Sequence, residues 1–146
     1  MKNSLKIMLL CVLFAACQQK IQPEDLHKIN GYWEIEKVVF ETGEDKGYQG
    51  NTSYDYFKIT KNKGIRKKVM PQLDGSFVVN NTFETVAVRY QKNKVYLDYA
   101  TQYAKWTEEL VALSDTELVC KNADQKEYHY KKSGPINLTQ NGKETK

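Results

Sequence analysis

Apolar and polar side chains alternate along much of this sequence, and short groups of turn-forming residues separate the alternating segments. An alternation with a period of two places successive side chains on opposite faces of a β-strand, so it predicts strands that are buried on one face. The turns recur about every 8–12 residues, a spacing that is typical of all-β domains. Asp74-Gly75 is a strong hairpin signal, because Asp-Gly tolerates the positive φ of tight turns. The predicted strands span residues 31–40, 52–60, 65–70, 77–80, 82–90, 94–99, 105–113, 117–122 and 126–132.

The alternation in the first predicted strand divides its side chains between two faces. Trp33, Ile35 and Val39 share one face, whereas Glu34 and Glu36 share the other. We therefore expect the first of these faces to be buried, with Trp33 as a large core residue.

The stretch from residue 99 to residue 113 allows two interpretations. Its large apolar side chains recur at alternating steps of four and three, which is helical spacing: Tyr99, Tyr103, Trp106, Leu110 and Leu113. However, a loop of hairpin length at 114–116 joins this stretch to the β-rich segment 118–120, which favours a strand. A helix over about 98–113 remains the alternative.

If this stretch is a strand, its adjacent glutamates face opposite sides and do not act together on one substrate. Glu108 then lies between Trp106 and Leu110 on the inner face, whereas Glu109 points the other way. Because an unpaired buried charge is costly, we expect Glu108 to have a Lys, Arg or Tyr hydroxyl partner from a neighbouring strand.

The first 16 residues have the order of a secretory signal, with Lys2 and Lys6 followed by an apolar run over 7–16. That run is shorter than the about 20 residues that span a bilayer. Ala15-Ala16-Cys17 resembles the lipobox of bacterial lipoproteins, in which the cysteine becomes the new N-terminus and carries the lipid. The resemblance implies a lipoprotein signal peptide at 1–16, lipidation of Cys17, and a lipid anchor in the cell envelope, at the outer membrane. The alternative is ordinary cleavage near Ala16, which leaves Cys17 as a free thiol.

Composition and charge narrow the function classes. The 146 residues are 40% hydrophobic and 12% aromatic, which indicates one globular domain and excludes a disordered chain. Removal of Lys2 and Lys6 with the signal lowers the net charge from +4 to +2, and no cluster of cations suggests a nucleic-acid partner. Cys11 is removed with the signal and Cys17 carries the lipid, so Cys120 remains alone and has no disulfide partner.

With about eight antiparallel strands and short loops, neighbouring strands should pair in order, and closing the sheet removes its edges. We therefore predict an all-β fold, an antiparallel up-and-down β-barrel of about eight strands with a short N-terminal helical turn. The division along the chain is signal peptide 1–16, lipidated tether and helical turn 17–30, barrel 31–132, and polar C-terminal tail 133–146.

A helical turn followed by Gly31-Tyr32-Trp33 resembles the opening of the lipocalins. The later segments 106–109, 118–119 and 127–131 resemble the lipocalin-like domains of small bacterial lipoproteins, especially those of Bacteroidetes. The resemblance covers roughly residues 29–132 and implies that Trp33 plugs one end of the barrel, with Gly31 letting the preceding turn pass close. It also implies that Lys131 or Lys132, on the final strand, lies over Trp33.

The sequence carries no catalytic motif, cofactor fingerprint or metal-spaced pair, so we predict a non-enzymatic protein with no cofactor. Aromatic residues that alternate along the strands could line an apolar cavity, and an inward arginine would bind an acidic head group. The run Arg66-Lys67-Lys68 is most simply a solvated strand edge, with a weak patch for anionic lipid or polysaccharide as the alternative. The candidate ligand-binding residues are Tyr54, Tyr56, Arg66, Arg89, Tyr96, Trp106, Tyr128 and Tyr130.

Two function classes follow from this pattern. In the first, the barrel binds a small apolar or amphipathic molecule. In the second, the aromatic residues fill the barrel or cover its outside, and the protein docks on an envelope partner through its outer face. An open interior of several hundred Å³ would favour the first.

Overall fold

The computed structural model describes residues 20–134. Within that range a 3₁₀ helix, Pro23–Ile29, precedes ten strands. The strands are β1 Gly31–Val39, β2 Asp45–Gly47, β3 Tyr54–Thr60, β4 Lys63–Pro71, β5 Phe77–Val79, β6 Glu84–Gln91, β7 Lys94–Ala100, β8 Lys105–Leu113, β9 Glu117–Lys121 and β10 Glu127–Ser133. No helix in this part of the chain is long and apolar enough to cross a membrane.

The strands close into a barrel. The hydrogen-bonded order is β1, β3, β4, β6, β7, β8, β9 and β10, all antiparallel, and β10 pairs back onto β1. The two short strands lie outside this ring of eight, with β2 paired to β1 and β5 paired to β4. The predicted up-and-down barrel of about eight strands is therefore confirmed, and its closure leaves few free edges.

Residues 99–113 form the end of β7, a turn and the whole of β8, and they contain no helix. Tyr99 ends up on β7 directly opposite Trp106 on β8, and Tyr103 lies in the turn between them with 89% of its surface exposed. The helical spacing arises because the five large residues are split between two strands and their hairpin. The strand prediction for 105–113 is confirmed, with the bounds of β8.

One end of the barrel, where β1 begins and β10 ends, is closed by the N-terminal segment; the other end is called the open end below. Ile21, Leu26 and Ile29 are buried in the barrel core. Residues 21–30, expected as part of a tether, are thus packed into the folded body, because these three apolar side chains leave water by covering the end of the barrel. The tail from residue 135 onward lies outside the described residues.

Trp33 fills this closed end. Its indole is fully buried, and Nε1 donates a hydrogen bond to the carbonyl oxygen of Ile29 at 2.7 Å. The ammonium of Lys132 lies 4.4 Å from the centre of the ring and donates to the carbonyl oxygens of Lys28 and Asn30. The expected plug and its covering basic residue are confirmed, with Lys132 in that role.

Gly31 is required where the chain enters β1. Its φ is +115°, and a Cβ there would lie 3.2 Å from Cε of Lys132. A side chain would therefore be strained by the backbone and crowded against the residue that covers Trp33.

The face assignment of the first strand was wrong in one position. A β-bulge between Ile35 and Lys37 shifts the register against β10, so Val38 lies opposite Tyr128. Val38 is buried, and Val39 is only half-buried. The extra residue reverses the alternation after the bulge, an effect that a strict period of two does not predict.

Candidate functional site

Polar and charged side chains face the barrel interior toward its open end. Arg66 on β4 lies opposite Phe57 on β3 and opposite Glu84 on β6. Directly opposite residues of antiparallel strands share a face, and Phe57 belongs to the core, so Arg66 and Glu84 point inward. By the same argument Glu108 points inward, because it lies opposite the fully buried Leu97.

These residues belong to a larger set that we call the interior polar cluster. Asp55 joins it from β3, where it lies opposite Trp33, and Tyr99 joins it from β7. The cluster consists of Asp55, Arg66, Glu84, Tyr99 and Glu108.

Arg66 is the centre of the cluster. Its Nε lies 2.5 Å from Oε2 of Glu84, and its Nη1 lies 3.7 Å from Oε2 of Glu108. The guanidinium carbon lies 4.2 Å from the centre of the Tyr99 ring and 5.8 Å from that of Trp106, a geometry suited to cation–π attraction. Burial opposes the charge, but the surrounding oxygens outweigh it and raise the pKa of Arg66, which stays protonated.

Asp55 is nearly inaccessible to water, with 2% of its surface exposed. Its Oδ1 lies 2.7 Å from Nζ of Lys68, the residue directly opposite on β4. The Lys68 side chain is itself 58% exposed, so it connects the solvent to a buried carboxylate. Asp55 therefore has its own cation.

Glu108 has no such dedicated partner. Its side chain is 12% exposed, and among the described residues only Arg66 lies within ion-pair distance. Burial raises the pKa of Glu108, and the charge of Arg66 offsets this effect only in part. The expectation that a strand places Glu108 inside is confirmed, and Tyr99 on the neighbouring β7 lowers the pKa of Glu108 as a hydrogen-bond donor. The arginine that pairs with Glu108 lies on β4, which does not neighbour β8.

The Tyr99 hydroxyl is buried, and beyond its contact with the Glu108 carboxylate, whose pKa it lowers as a hydrogen-bond donor, it has no partner among the described residues. Its ring stacks on Trp106 with centroids 5.2 Å apart. Burial raises the pKa of Tyr99 and the pKa of Cys120 well above their ordinary values, so both stay protonated. The cysteine is thus an inert core thiol, whereas the phenol oxygen can still accept a hydrogen bond.

Four of the eight candidate ligand-binding residues face this interior: Arg66, Trp106, Tyr128 and Tyr130. Tyr130 is buried, and Asn122 donates a hydrogen bond to the Tyr128 hydroxyl at 3.4 Å. Arg66 also corrects the interpretation of the run 66–68, because it is buried and is not part of a solvated edge.

The other four candidates lie on the outer face and do not share the interior. Arg89 forms an ion pair with Asp98 at 2.8 Å and lies over the ring of Tyr96. Tyr56 packs against Tyr32, and Tyr54 is covered from outside by Phe77. Cys17, the predicted lipidation site, lies outside the described residues.

Asp55 and Glu84 were not identified from the sequence. Both stand two residues before an inward apolar residue, Phe57 and Val86 respectively. The period of two therefore carried the signal, but charged side chains are mostly exposed in proteins, so alternation alone does not place one inside a barrel.

The outer face carries two depressions near the open end. A trough of about 660 Å³ crosses β4, β6, β7 and β8, and its outward lining includes Thr85, Ala87 and Ala100. A second depression of about 570 Å³ shares Thr85 and Ala100 and extends to Phe83 and Tyr103. These depressions form because several outward side chains at this position are small. Across residues 20–134, no group of three or more His, Cys, Asp or Glu side chains is arranged to hold a metal ion.

Comparison with known proteins identifies the family of this chain. The sequence model of the lipocalin-like domain family matches residues 29–120. A lipocalin-like protein from Bacteroides uniformis is similar in structure, with a TM-score of 0.46 and 11% identity over 73% of this chain and 99% of that chain. An uncharacterized protein from Bacteroides eggerthii has a TM-score of 0.44 and 10% identity over 71% and 98%. Among curated proteins, none matches the sequence. Since the family match spans more than half of the sequence, this chain belongs to the lipocalin-like domain family.

Proposed function

We propose that this protein is a non-enzymatic binding protein of the cell envelope, anchored by a lipid on Cys17 at the outer membrane. Its barrel binds a small amphipathic molecule through the open end. The observation that carries the proposal is the interior polar cluster, in which three carboxylates, an arginine and a buried tyrosine hydroxyl lie inside a barrel whose other interior side chains are mostly apolar.

Burying such a cluster does not stabilise the fold, which argues that the cluster has a function. A buried ion pair is at best about neutral in stability compared with apolar residues of the same volume, and a buried polar group without a partner is unfavourable. Clusters of perturbed titratable groups therefore tend to mark binding sites. The remaining interior is apolar, with Phe57, Leu97 and Leu118 fully buried. This contrast suits a guest with one polar end.

The proposed anchor agrees with entry through the open end. The described chain starts at Lys20, whose Nζ donates to Oδ1 of Asn93 in the turn between β6 and β7, at the closed end. Two residues separate Cys17 from Lys20, so the distance between these two positions is at most about 10 Å. A lipid on Cys17 would hold the closed end near the membrane, with the open end directed away from it.

A second candidate function is docking on an envelope partner through the outer face. It is favoured by the position of the two depressions described above, because neither is lined by Arg66, Glu84 or Glu108, and a barrel filled with side chains suits a partner better than a small ligand. The trough of about 660 Å³ is lined mostly by outward side chains, although Tyr99 and Trp106 also border it. Large apolar side chains are also exposed on the segments near the open end: Met70, Leu73, Val78, Val79, Phe83 and Tyr103. Exposed apolar patches of this kind can mark interaction sites.

Native mass spectrometry distinguishes the two functions. A chain beginning at Gln18 retains every strand and every core residue described above, and it is incubated with a lipid extract of bacterial envelopes. We expect a bound small molecule at one per barrel. The variant Ala87→Trp, which fills the outer trough, should keep it. A barrel without any adduct would contradict ligand binding, and loss of the adduct in Ala87→Trp alone would move the site to the outer face.

A further inference from the structure

We infer that the interior polar cluster binds the protonated amine of an amphiphile, with the Glu108 carboxylate as counter-ion and the Tyr99 hydroxyl as second hydrogen-bond partner. The inference rests on the proposed function, because it names the ligand class of the same site. It differs from the acidic head group that the sequence suggested for an inward arginine.

The first argument is the balance of charge. The cluster and Lys68 contain three carboxylates and two cations. Lys68 is 2.7 Å from Asp55, and Arg66 is 2.5 Å from Glu84, so each cation has a carboxylate at hydrogen-bond distance. Glu108 lies 3.7 Å from Arg66, beyond that distance. One inward carboxylate is thus left without a hydrogen-bonded cation, and a cationic ligand would supply it.

The second argument is the position of the Tyr99 hydroxyl beside Glu108. This hydroxyl is buried, and beyond its contact with the Glu108 carboxylate, whose pKa it lowers as a hydrogen-bond donor, it has no partner in the described part of the chain. Arg66 adjoins both residues, because its guanidinium carbon lies 4.2 Å from the Tyr99 ring centre and its Nη1 lies 3.7 Å from the glutamate. Tyr99 is also the diagonal neighbour of Glu108 across the β7–β8 pair, a relation in which long side chains reach each other. An ammonium group has three donors and fits between such acceptors.

The third argument concerns what the site excludes. A carboxylate ligand would have to approach Arg66 beside Glu84 and Glu108, and like charges at close range repel. Arg66 is also already held by Glu84 and by the two aromatic rings. An acidic head group would therefore be repelled by two carboxylates, and the arginine that should attract it is already paired.

The test compares three probes with the same alkyl chain. The chain from Gln18 is titrated at pH 7 with decylamine, 1-decanol and decanoate, each below its critical micelle concentration, by isothermal titration calorimetry. We expect decylamine to bind about tenfold more tightly than decanoate, the effect of one charge-assisted hydrogen bond. In Glu108→Gln that preference should disappear while 1-decanol binding is unchanged.

The chain offers a matched control in the next residue. Glu109 points outward and pairs with Lys94 at 2.9 Å, so Glu109→Gln removes the same charge from the other face of β8. Glu109→Gln should keep the preference for decylamine. An equal loss of that preference in both variants would show that decylamine is attracted only to the charge of the surface, and it would overturn the inference. Tyr99→Phe provides a second variant should Glu108→Gln not fold, and it should weaken decylamine binding several-fold.

The outcomes separate the inference from the proposed function. Decanoate that binds the unmodified chain as tightly as decylamine would overturn the inference and leave ligand binding intact. If none of the three probes binds, the inference is overturned, whereas the proposed function is decided by the adduct that mass spectrometry detects.

Discussion

Replacing Trp33 by alanine should destabilise the barrel more than any other single truncation of the closed end. The indole is fully buried, and truncating such a side chain costs about 3–5 kcal/mol. The change also leaves the carbonyl oxygen of Ile29 without its donor, which adds about 1 kcal/mol. Since domains of this size have about 5–15 kcal/mol in total, Trp33→Ala should retain little of its stability.

Urea unfolding followed by far-UV circular dichroism measures the effect. Trp33→Phe keeps most of the aromatic packing and loses the hydrogen bond to Ile29, so it should cost about half as much. Tyr103→Ala is the matched control, because that ring is 89% exposed and its removal should change stability by less than about 0.5 kcal/mol. An unfolding midpoint of Trp33→Ala equal to that of the unmodified chain would refute the assignment of Trp33 as the plug.

Three further changes test other parts of the structure. Burial raises the pKa of Glu108 above its ordinary value of 4.5, so the unmodified chain loses stability as the pH rises from there through the folded-state pKa. Glu108→Gln does not ionise, so its stability relative to the unmodified chain should increase over that range, seen as a rising difference in urea midpoints. A Cβ at Gly64 would lie 2.0 Å from the carbonyl oxygen of Lys58, so Gly64→Ala should cost more than about 2 kcal/mol, whereas Gly134→Ala, with no atom within 4 Å, should leave the melting temperature unchanged. Cys17→Ala should abolish incorporation of a clickable fatty acid, and equal labelling of both chains would disprove lipidation.

The barrel could be predicted because most of its strands alternate apolar and polar side chains. The loop of hairpin length at 114–116 favoured a strand for β8 even though the large residues of 99–113 have helical spacing, and alternation then predicted the inward position of Glu108. The signal failed at the β-bulge after Ile35, because an inserted residue reverses the faces without any change in composition.

The site was harder to predict because its inward residues are polar. On β4 the inward positions are Gly64, Arg66 and Lys68, so alternation cannot distinguish its inner face from its outer one. Tyr54 and Tyr56 raise the converse problem, because aromatic residues on the outer face of β3 alternate with Phe57 and Ile59 on the inner face. Only the pairing between strands decides which set faces the interior.

Methyl NMR tests most directly whether a ligand binds inside the barrel. Leu97 lies opposite Glu108 on the inner face, whereas the methyl groups of Ala87 and Ala100 line the outer trough. With both residue types labelled and decylamine added, binding at the interior polar cluster predicts contacts between the ligand and the Leu97 methyl groups, with Ala87 and Ala100 unchanged. Contacts confined to Ala87 and Ala100 would place the ligand on the outer face and contradict a binding site inside the barrel.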